Sequence, residues 1–356
     1  MIKVSIIIIS YNGIKFNVDC INSVLKQSYQ DFEIVFVDNN STDGSLEQVE
    51  KEFKKEIKNN KIKIVKSKNN VGFTGGNNLG VKNSKGKYIS LLNNDTNVNK
   101  DWLKHLVKAI EINDNIGLVS SLVLNYGNEQ NIKDMVFKKH IKATLNVCGD
   151  AVGIHNSKYM CDIFPIFLCG GCSLLFRRSA VELPFDDIYF FYAEDNYLSQ
   201  LMKIKGYDIM LATKSITYHY GGQVKKKGGE IKEVSILHGT KNVIVNYFIF
   251  YSWLNILKIL PLFLVSQLGH IIYEPRKIKY KLKAWFWIIN NFKYISNLRN
   301  SIQEQRTVSD KDMFKEMSYK LYDVDGIEGV YKIPVKIINF MFAIYCKVLR
   351  IKTGDL

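Results

Sequence analysis

The chain has 356 residues, 47% hydrophobic and 23% charged, which is enough apolar material for a full core and excludes a disordered, collagenous or disulfide-stapled miniprotein. Lys and Arg number 49 against 34 Asp and Glu, a formal charge of +15, and the near-zero mean hydropathy of −0.07 excludes a many-spanning membrane protein. The surplus is uneven: residues 1–220 hold 27 basic and 23 acidic side chains, residues 221–356 hold 22 and 11, and the basic back third also carries long apolar runs, which favours an anionic membrane surface over nucleic acid as a partner.

Met1–Ile9 is apolar but too short for a signal segment, and Ser10-Tyr11-Asn12 interrupts it at once. It reads as a buried strand, which leaves the front of the protein in the cytoplasm. From there to about residue 125, short β-branched runs alternate with helical ones, the pattern of a parallel sheet covered on both faces. The expected strands are Val4–Ile9, Glu33–Val37, Ile62–Val65, Tyr88–Leu92 and Ile116–Val123, rich in Ile, Val and Leu as a doubly buried sheet requires. Helices are expected at about Phe16–Gln27, Ser45–Ile57, Gly75–Asn83 and Asp101–Ile112, with Asp43 and Ser45 as N-cap candidates for the second and Asp101 opening the fourth with charge favourable to its dipole. Residues 126–165 lose this rhythm and read as a loop-rich insertion. Order returns with a strand-like run at Phe167–Phe176, then Phe190–Lys203, aromatic at its start and helical beyond, then short strands Asp208–Ala212 and Ser215–Tyr218. The six cysteines share no repeated spacing, and Cys169-Gly-Gly-Cys172 lacks a second pair at zinc-ligand distance, so small packed residues are the simpler reading.

After Gly221-Gly222 the character changes. Val243–Leu257 and Ile259–Tyr273 are strongly apolar, interrupted by Asn246, Asn255, Lys258 and Pro261, and are followed by Arg276, Lys277, Lys279, Lys281 and Lys283, then Trp285 and Trp287. The interruptions and the Trp/Tyr/Lys content suit helices lying in a membrane interface; a true span or hairpin and a soluble helical interaction domain stay open. Ile333–Leu349 reads as a further amphipathic helix, with Lys336, Lys347 and Arg350 available to anionic headgroups.

In an open α/β sheet, ligands bind outside the carboxyl ends of the strands. Four successive strand ends here deliver Ser10–Gly13, Asp38–Gly44, Asn69–Gly80 and Asn93–Asp95, a run of carboxylates, amides and glycines beyond what turns require. Neither a dinucleotide G-x-G-x-x-G nor a P-loop follows the first strand. Asp38 ends a buried strand, where a lone carboxylate is costly and a base or ribose would satisfy it. Asp95 offers one hard oxygen among amides, which suits Mg²⁺ or Mn²⁺ held mainly through a ligand's phosphates. Gly72, Gly75, Gly76 and Gly80 are expected to let the backbone approach a ligand and the next helix start against it.

The segments Val4–Asn12, Val37–Ser45, Asn70–Gly80 and Leu91–Thr96 together resemble family-2 glycosyltransferases, inverting enzymes of the GT-A fold, and most closely the rhamnosyltransferase-like branch that builds bacterial and archaeal surface polysaccharides. The resemblance covers about residues 1–222. It implies a GT-A-type nucleotide-sugar-binding sheet with flanking helices at 1–222, its donor half at about 1–125 and its acceptor half at about 165–222, followed by a mainly helical, basic, membrane-associating region at 223–356. It further implies that Ser10 and Asp38 bracket the donor nucleoside, that Gly75 and Asn78 belong to the loop and helix start beside the donor, and that Asn94-Asp95 stands at the D-x-D-like metal motif with Asp95 its only acidic ligand. Phe190-Phe191-Tyr192-Ala193-Glu194-Asp195 looks like the acceptor-side E-D motif, with Asp195 at the position of the general base and Glu194 orienting the acceptor or backbone. His219, in His219-Tyr220-Gly221-Gly222, matches an H-x-x-G element and is read either as a metal or diphosphate contact or as a satisfied structural histidine. Lys241-Asn242 stands where relatives commonly have Arg-Asn.

The implied function is transfer of a sugar from a nucleoside-diphosphate donor to a hydroxyl of a glycan or polyprenyl-linked glycan, with a divalent metal (Mg or Mn), at the cytoplasmic face of the cell membrane. Nucleic acid is not an expected partner. Two rivals remain: a nucleotidyltransferase, which would need a Gly-rich basic signature near the first strand that is absent, and a non-catalytic membrane-bound glycan-binding scaffold, against which Asp38, Asp95 and Asp195 all count.

Overall fold

The structure, a computed structural model, describes residues 2–126, 141–154, 161–221, 228–273, 275–321 and 332–355. The front of the chain forms β1 (Val4–Ser10), α1 (Asn17–Leu25), β2 (Phe32–Asp38), α2 (Ser45–Glu52), α3 (Lys54–Lys58), β3 (Ile62–Lys66), α4 (Gly72–Lys82), β4 (Tyr88–Asn93), β5 (Thr96–Val98), α5 (Trp102–Ile110) and β6 (Ile116–Asn125). A hairpin of β7 (Ile141–Leu145) and β8 (Ala151–Ile154) follows, then β9 (Ile163–Ile166), β10 (Ser173–Arg177), α6 (Glu194–Ile204) and β11 (Asp208–His219). The main sheet runs β3-β2-β1-β4-β10-β6-β11-β5, with β9 added against β11.

β3, β2, β1 and β4 are parallel, as their largely apolar runs imply, but β10 inserts antiparallel between β4 and β6. The sheet is therefore mixed rather than purely parallel. The expected strand at Phe167–Phe176 begins only at Ser173, because the Phe167 and Leu168 amides turn aside to donate to the Ala143 carbonyl of the hairpin at 2.9 and 3.0 Å. The two short strands expected at 208–218 are one strand, β11, with an irregularity between Ala212 and Ile216. The expected helix Ser45–Ile57 is broken at Phe53 into α2 and α3, and its N-cap is Gly44 at φ +82, not Asp43 or Ser45; Asp43 instead accepts from the Ser45 and Ile14 amides, both at 3.1 Å. Asp101 opens α5 at its N-cap position, as expected, and its carboxylate accepts from the Ser28 hydroxyl at 2.6 Å.

Alternation along β1 sorts the core into two layers: Ile6 and Ile8 pack with residues of α1 and α5, whereas Ile7 packs with Val81 of α4 on the other side. Beyond β11 come α7 (Gly228–Phe250), α8 (Trp253–Tyr273), a 3₁₀ turn at Pro275–Lys277, α9 (Ile278–Asn290), α10 (Phe292–Glu304), α11 (Asp310–Phe314) and α12 (Lys332–Val348). The hydrophobic core continues across residue 222: Ile244, Val245, Tyr247, Ile249 and Phe250 of α7 are fully buried in the same cluster as Tyr189, Leu198 and Leu201. The open carbonyls at the end of α7 are satisfied from α10 and just beyond it. Arg299 donates to Phe248 and Tyr251, Gln303 to Ile249 at 2.7 Å, and Arg306 to Phe250.

Candidate active site

Register places the first residues of the site. Ser10 stands opposite Asp38, and Ile9 opposite Asn93, so β1, β2 and β4 end along one edge of the sheet. The Asn93 amide donates to the Cys172 carbonyl at 2.9 Å, which brings the loop before the antiparallel β10 to the same edge. β5 pairs with β11 so that Thr96 faces His219. The neighbouring Asp95 thereby meets His219, with Oδ1 at 3.1 Å from Nε2, while its carbonyl accepts from the Tyr220 amide at 3.0 Å.

Asp195 reaches this edge through Gly171, where a methyl group would lie 3.5 Å from Asp195 Oδ2. Burial pushes the Cys172 thiol up to about 12, and both Asp95 and Asp195 add to the rise. Cys172 thus stands between Gly171, which Asp195 lies against, and the backbone contact to Asn93, two residues before Asp95. Asp38, only 4% exposed, takes long bonds from the Ser41 amide at 3.3 and 3.4 Å. Its neighbour Asn39 donates to Asn70 Oδ1 at 2.9 Å and to the Gly72 carbonyl at 3.1 Å, and accepts from the Val71 amide at 3.0 Å. The Phe73 amide then donates to the Phe190 carbonyl at 2.9 Å, so bonded contacts run from Asp38 to the segment that carries Glu194 and Asp195.

Several residues expected beside the ligand make protein contacts here. Ser10 is fully buried beneath Gly13, its hydroxyl has no partner among the described residues and its carbonyl accepts from the Asn39 amide at 2.8 Å. Asn78 is a clamp on Phe185, donating to its carbonyl at 2.7 Å and accepting from its amide at 3.3 Å. Asn94 gives its amide to Asn17 Oδ1 at 2.8 Å. The glycines of α4 serve protein contacts: a methyl group on Gly76 would come within 1.9 Å of Ile9 Cδ1, one on Gly80 within 2.3 Å of Ile7 Cγ2, and Gly75 faces Val71 of its own helix start. α4 begins at Gly72, three residues earlier than expected, and Gly222 lies outside the described residues.

Glu194 and Asp195 occupy the first turn of α6, where the helix dipole favours negative charge. Burial raises both carboxyls; the charge of Asp195 raises Glu194 further, while the Asn196 amide at 2.9 Å opposes the rise at Asp195. Both carboxyls are thus raised, Glu194 the further of the two. Glu194 Oε2 is buried without a partner.

The approach to α6 is unusual. Tyr192 and Ala193 are both left-handed, at φ 66° and 55°. α7 holds them there: Asn242 donates to the carbonyls of Phe191 at 3.1 Å and Tyr192 at 2.6 Å, Asn246 donates to Ala193 at 3.4 Å, and Tyr189 donates to Asn246. Lys241, 4% exposed, donates to Ile188 with its ammonium 4.6 Å over the Trp287 ring, and burial brings its pKa down to about 8. His238 stacks on Phe190 at 5.2 Å. His238 and Asn246 were not legible as site residues; the only signal was polar side chains four apart in an apolar run.

Among the described residues no group of three or more His, Cys, Asp or Glu could hold a metal ion. The donors present, one carboxylate and one imidazole in contact, fit a divalent ion that keeps several waters and takes further oxygens from a phosphate.

Comparison with known proteins accords with this arrangement. A 111-residue segment is 30% identical to glycosyltransferase GlyG of Streptococcus pneumoniae serotype 4, covering 31% of this chain and 36% of that protein. The matched segments span between 15% and 39% of the length of the curated relatives they match. The structure of Staphylococcus aureus TarS 1–349 in complex with UDP superposes with a TM-score of 0.53 at 18% identity, over 95% of this chain and 89% of that one. GalNAc-T7 with UDP, GalNAc and Mn²⁺ does so at 0.59 and 14% identity, over 83% and 57%. These two show the fold, the mixed α/β sheet of GT-A glycosyltransferases. Residues 5–183, half of the chain, match the family Glycosyl transferase family 2, and the chain belongs to that family.

Proposed function

We propose that the protein is an inverting glycosyltransferase that moves a hexosyl or deoxyhexosyl unit, rhamnose included, from a nucleoside-diphosphate donor to a hydroxyl of a glycan or polyprenyl-linked glycan. The observation that carries the reading is the meeting of Asp95 with His219 at the sheet edge where Asp38 ends β2, with Asp195 brought to the same edge against Gly171, next to the Cys172 carbonyl that holds the Asn93 amide. In this reading residues 1–222 hold the donor and acceptor subsites and residues 223–356 associate with the cytoplasmic face of the cell membrane.

Asp195 takes the proton of the acceptor hydroxyl as that oxygen attacks the anomeric carbon from the face opposite the departing diphosphate, and one base on that face gives inversion. Glu194, holding its own proton, orients the acceptor. Asp38 and the loops locked to it, Asn12 to Thr42 at 2.9 Å and Asn39 to Asn70 at 2.9 Å, shape the nucleoside subsite. Asp95 and His219 would hold Mg²⁺ or Mn²⁺, which when bound supplies positive charge against the leaving diphosphate. TarS was solved with UDP and GalNAc-T7 with UDP and Mn²⁺, which supports a uridine donor and Mn²⁺ as the first to test.

Release of nucleoside diphosphate is measured across UDP-, dTDP- and GDP-sugars with a set of glycan acceptors, with and without Mn²⁺. Asp195→Asn is expected to lower turnover by about 10²–10⁴-fold, the usual worth of a positioned base, while donor binding persists. Equal turnover by wild type and Asp195→Asn removes the base from the reading. Pyrophosphate as the product instead indicates a nucleotidyltransferase, and carbohydrate binding without release indicates a scaffold.

A further inference from the structure

Three helices of the C-terminal region carry their apolar residues on both faces. In α8 the inner face, Ile256, Ile259, Leu262 and Phe263, is buried in the core. Every exposed position from Trp253 to Ile272 is also apolar, and Leu254, Leu257, Leu264, Leu268 and Ile272 follow one another at helical spacing as an unbroken outer stripe. In α9, Ile278, Leu282, Phe286 and Ile289 form the outer stripe, and Lys279 and Lys283 stand one position beside it. In α12, Ile333, Ile337, Phe340, Ile344 and Val348 do the same beside Lys332, Lys336 and Lys347. The exposure is large at several of these, 78% at Ile272, 67% at Phe286 and 72% at Val348.

The helices touch one another. Tyr345 of α12 donates to the Lys258 carbonyl of α8 at 3.0 Å, and the Phe263 and Trp285 rings of α8 and α9 lie 6.5 Å apart. α8 is one helix long and apolar enough to cross a membrane. Its polar bonds argue for another placement. Near its start Asn255 donates to Asp310 at 2.7 Å, and toward its end Ser266 donates to Asp150 at 3.0 Å with His270 Nε2 3.5 Å from the same carboxylate. Asp150 and Asp310 both belong to the folded body, yet a spanning helix of 21 residues, about 31 Å long, would put its two ends on opposite sides of the hydrocarbon.

Resting on the membrane association proposed above, we infer that α8, α9 and α12 lie in the plane of an anionic bilayer surface, their outer stripes at the headgroup–acyl boundary and their lysines on the lipid phosphates. The occupant is lipid rather than a protein groove because the lysines flank the apolar stripes, the arrangement that an anionic interface rewards twice, through apolar area and through charge. The excess of 22 basic over 11 acidic side chains in residues 221–356 has the same sign.

The test uses the full-length protein, because a deletion would strip Ile244–Phe250 from the core. Flotation is compared on phosphatidylcholine vesicles and on vesicles with about a third phosphatidylglycerol. Binding to the anionic vesicles, weakened by high salt and released by alkaline carbonate, is the expected result. The double variant Leu257→Glu/Leu268→Glu, and separately Phe286→Glu and Ile337→Glu, are each expected to lower the partition coefficient at least about 10-fold, since each replaces exposed apolar area with negative charge. All these sites are exposed, so an unchanged melting temperature confirms the fold. Lys279→Gln/Lys283→Gln is expected to lower partitioning on anionic vesicles only. Failure to float with either vesicle, self-association through the same residues without lipid binding, or binding that resists carbonate each overturns the in-plane surface. Sugar transfer to a soluble acceptor is followed in parallel: its absence in wild type counts against the proposed activity, and its persistence in variants that no longer float supports the surface.

Discussion

Asp195 differs from an ordinary aspartate through its surroundings. Burial against Gly171 and the first turn of α6 raises its pKa, and the Asn196 amide only partly opposes this. A base works in its ionised form, so a raised pKa carries the acidic limb of the pH–rate profile upward from the ordinary Asp value of about 4 toward neutrality. Activity is present above that limb and lost as pH falls through it. Glu194, raised further, is mimicked in its protonated form by glutamine. Glu194→Gln is expected to leave the limb in place and turnover within about 10-fold of wild type, below the roughly 10²–10⁴-fold that a positioned acid or base contributes. The same variant has a stability signature. A carboxyl whose folded pKa is raised contributes stability below its unfolded pKa, and that contribution is lost as pH rises through the folded pKa. Glu194→Gln should therefore melt higher than wild type by a margin that widens toward alkaline pH. A margin independent of pH would show that Glu194 is ionised in the native protein.

At the scale of elements, the site depends on α7 more than on the strand that precedes α6. Two consecutive left-handed residues cost about 1–3 kcal/mol each, and Asn242 and Asn246 are the groups that hold Tyr192 and Ala193 in place. Asn242→Ala is expected to reduce turnover with donor affinity unchanged, because the clamp acts on the start of α6 and not on the loops around Asp38. Restoring the pair with Asn242→Gln is not expected to rescue, since the longer amide cannot reach both the Phe191 and Tyr192 carbonyls. Donor affinity falling in step with turnover would instead show a general loosening of the fold. α4 supplies a second case. Gly76→Ala forces a methyl group into Ile9 Cδ1 and is expected to destabilise by about 1–3 kcal/mol, read by denaturant unfolding. Unchanged stability, together with weakened donor binding, would return Gly76 to the ligand.

Across the whole molecule, the buried face of α7 and the inner face of α8 belong to the same core as Leu198 and Leu201, and the outer faces of α8, α9 and α12 are exposed. The basic, apolar C-terminal region thus has two jobs that its composition merges: it completes the core beneath the Glu194–Asp195 turn and it presents lysine-flanked apolar stripes outward. The strand ends were legible before any coordinates, because β-branched runs such as Val4–Ile9 and Tyr88–Leu92 announce buried strands and Asp38 and Asp95 follow such runs directly. The antiparallel entry of β10 was not, since the mainly apolar Phe167–Phe176 run carries no sign of direction. Nor was the role of Gly76 or Asn78, because a glycine or an amide after a strand has the same appearance whether it meets a ligand or Ile9 or Phe185. The runs from Val243 to Tyr273 posed the same ambiguity: apolar periodicity reports burial without saying whether protein or lipid provides it.

The amino-acid order by itself determined the local facts, namely which segments are strands or helices, which carboxylates stand at strand ends, and that charge gathers in the back third. Only the tertiary structure decided which of those groups meet. Asp95 finds His219 across 124 positions, Asn242 reaches Tyr192 across 50, and Cys172 meets Asn93 beside the Gly171–Asp195 contact because β10 runs backward between β4 and β6. Propensity and spacing act over a few residues, whereas these contacts are selected by the packing of the whole chain, and no short stretch of sequence encodes that choice.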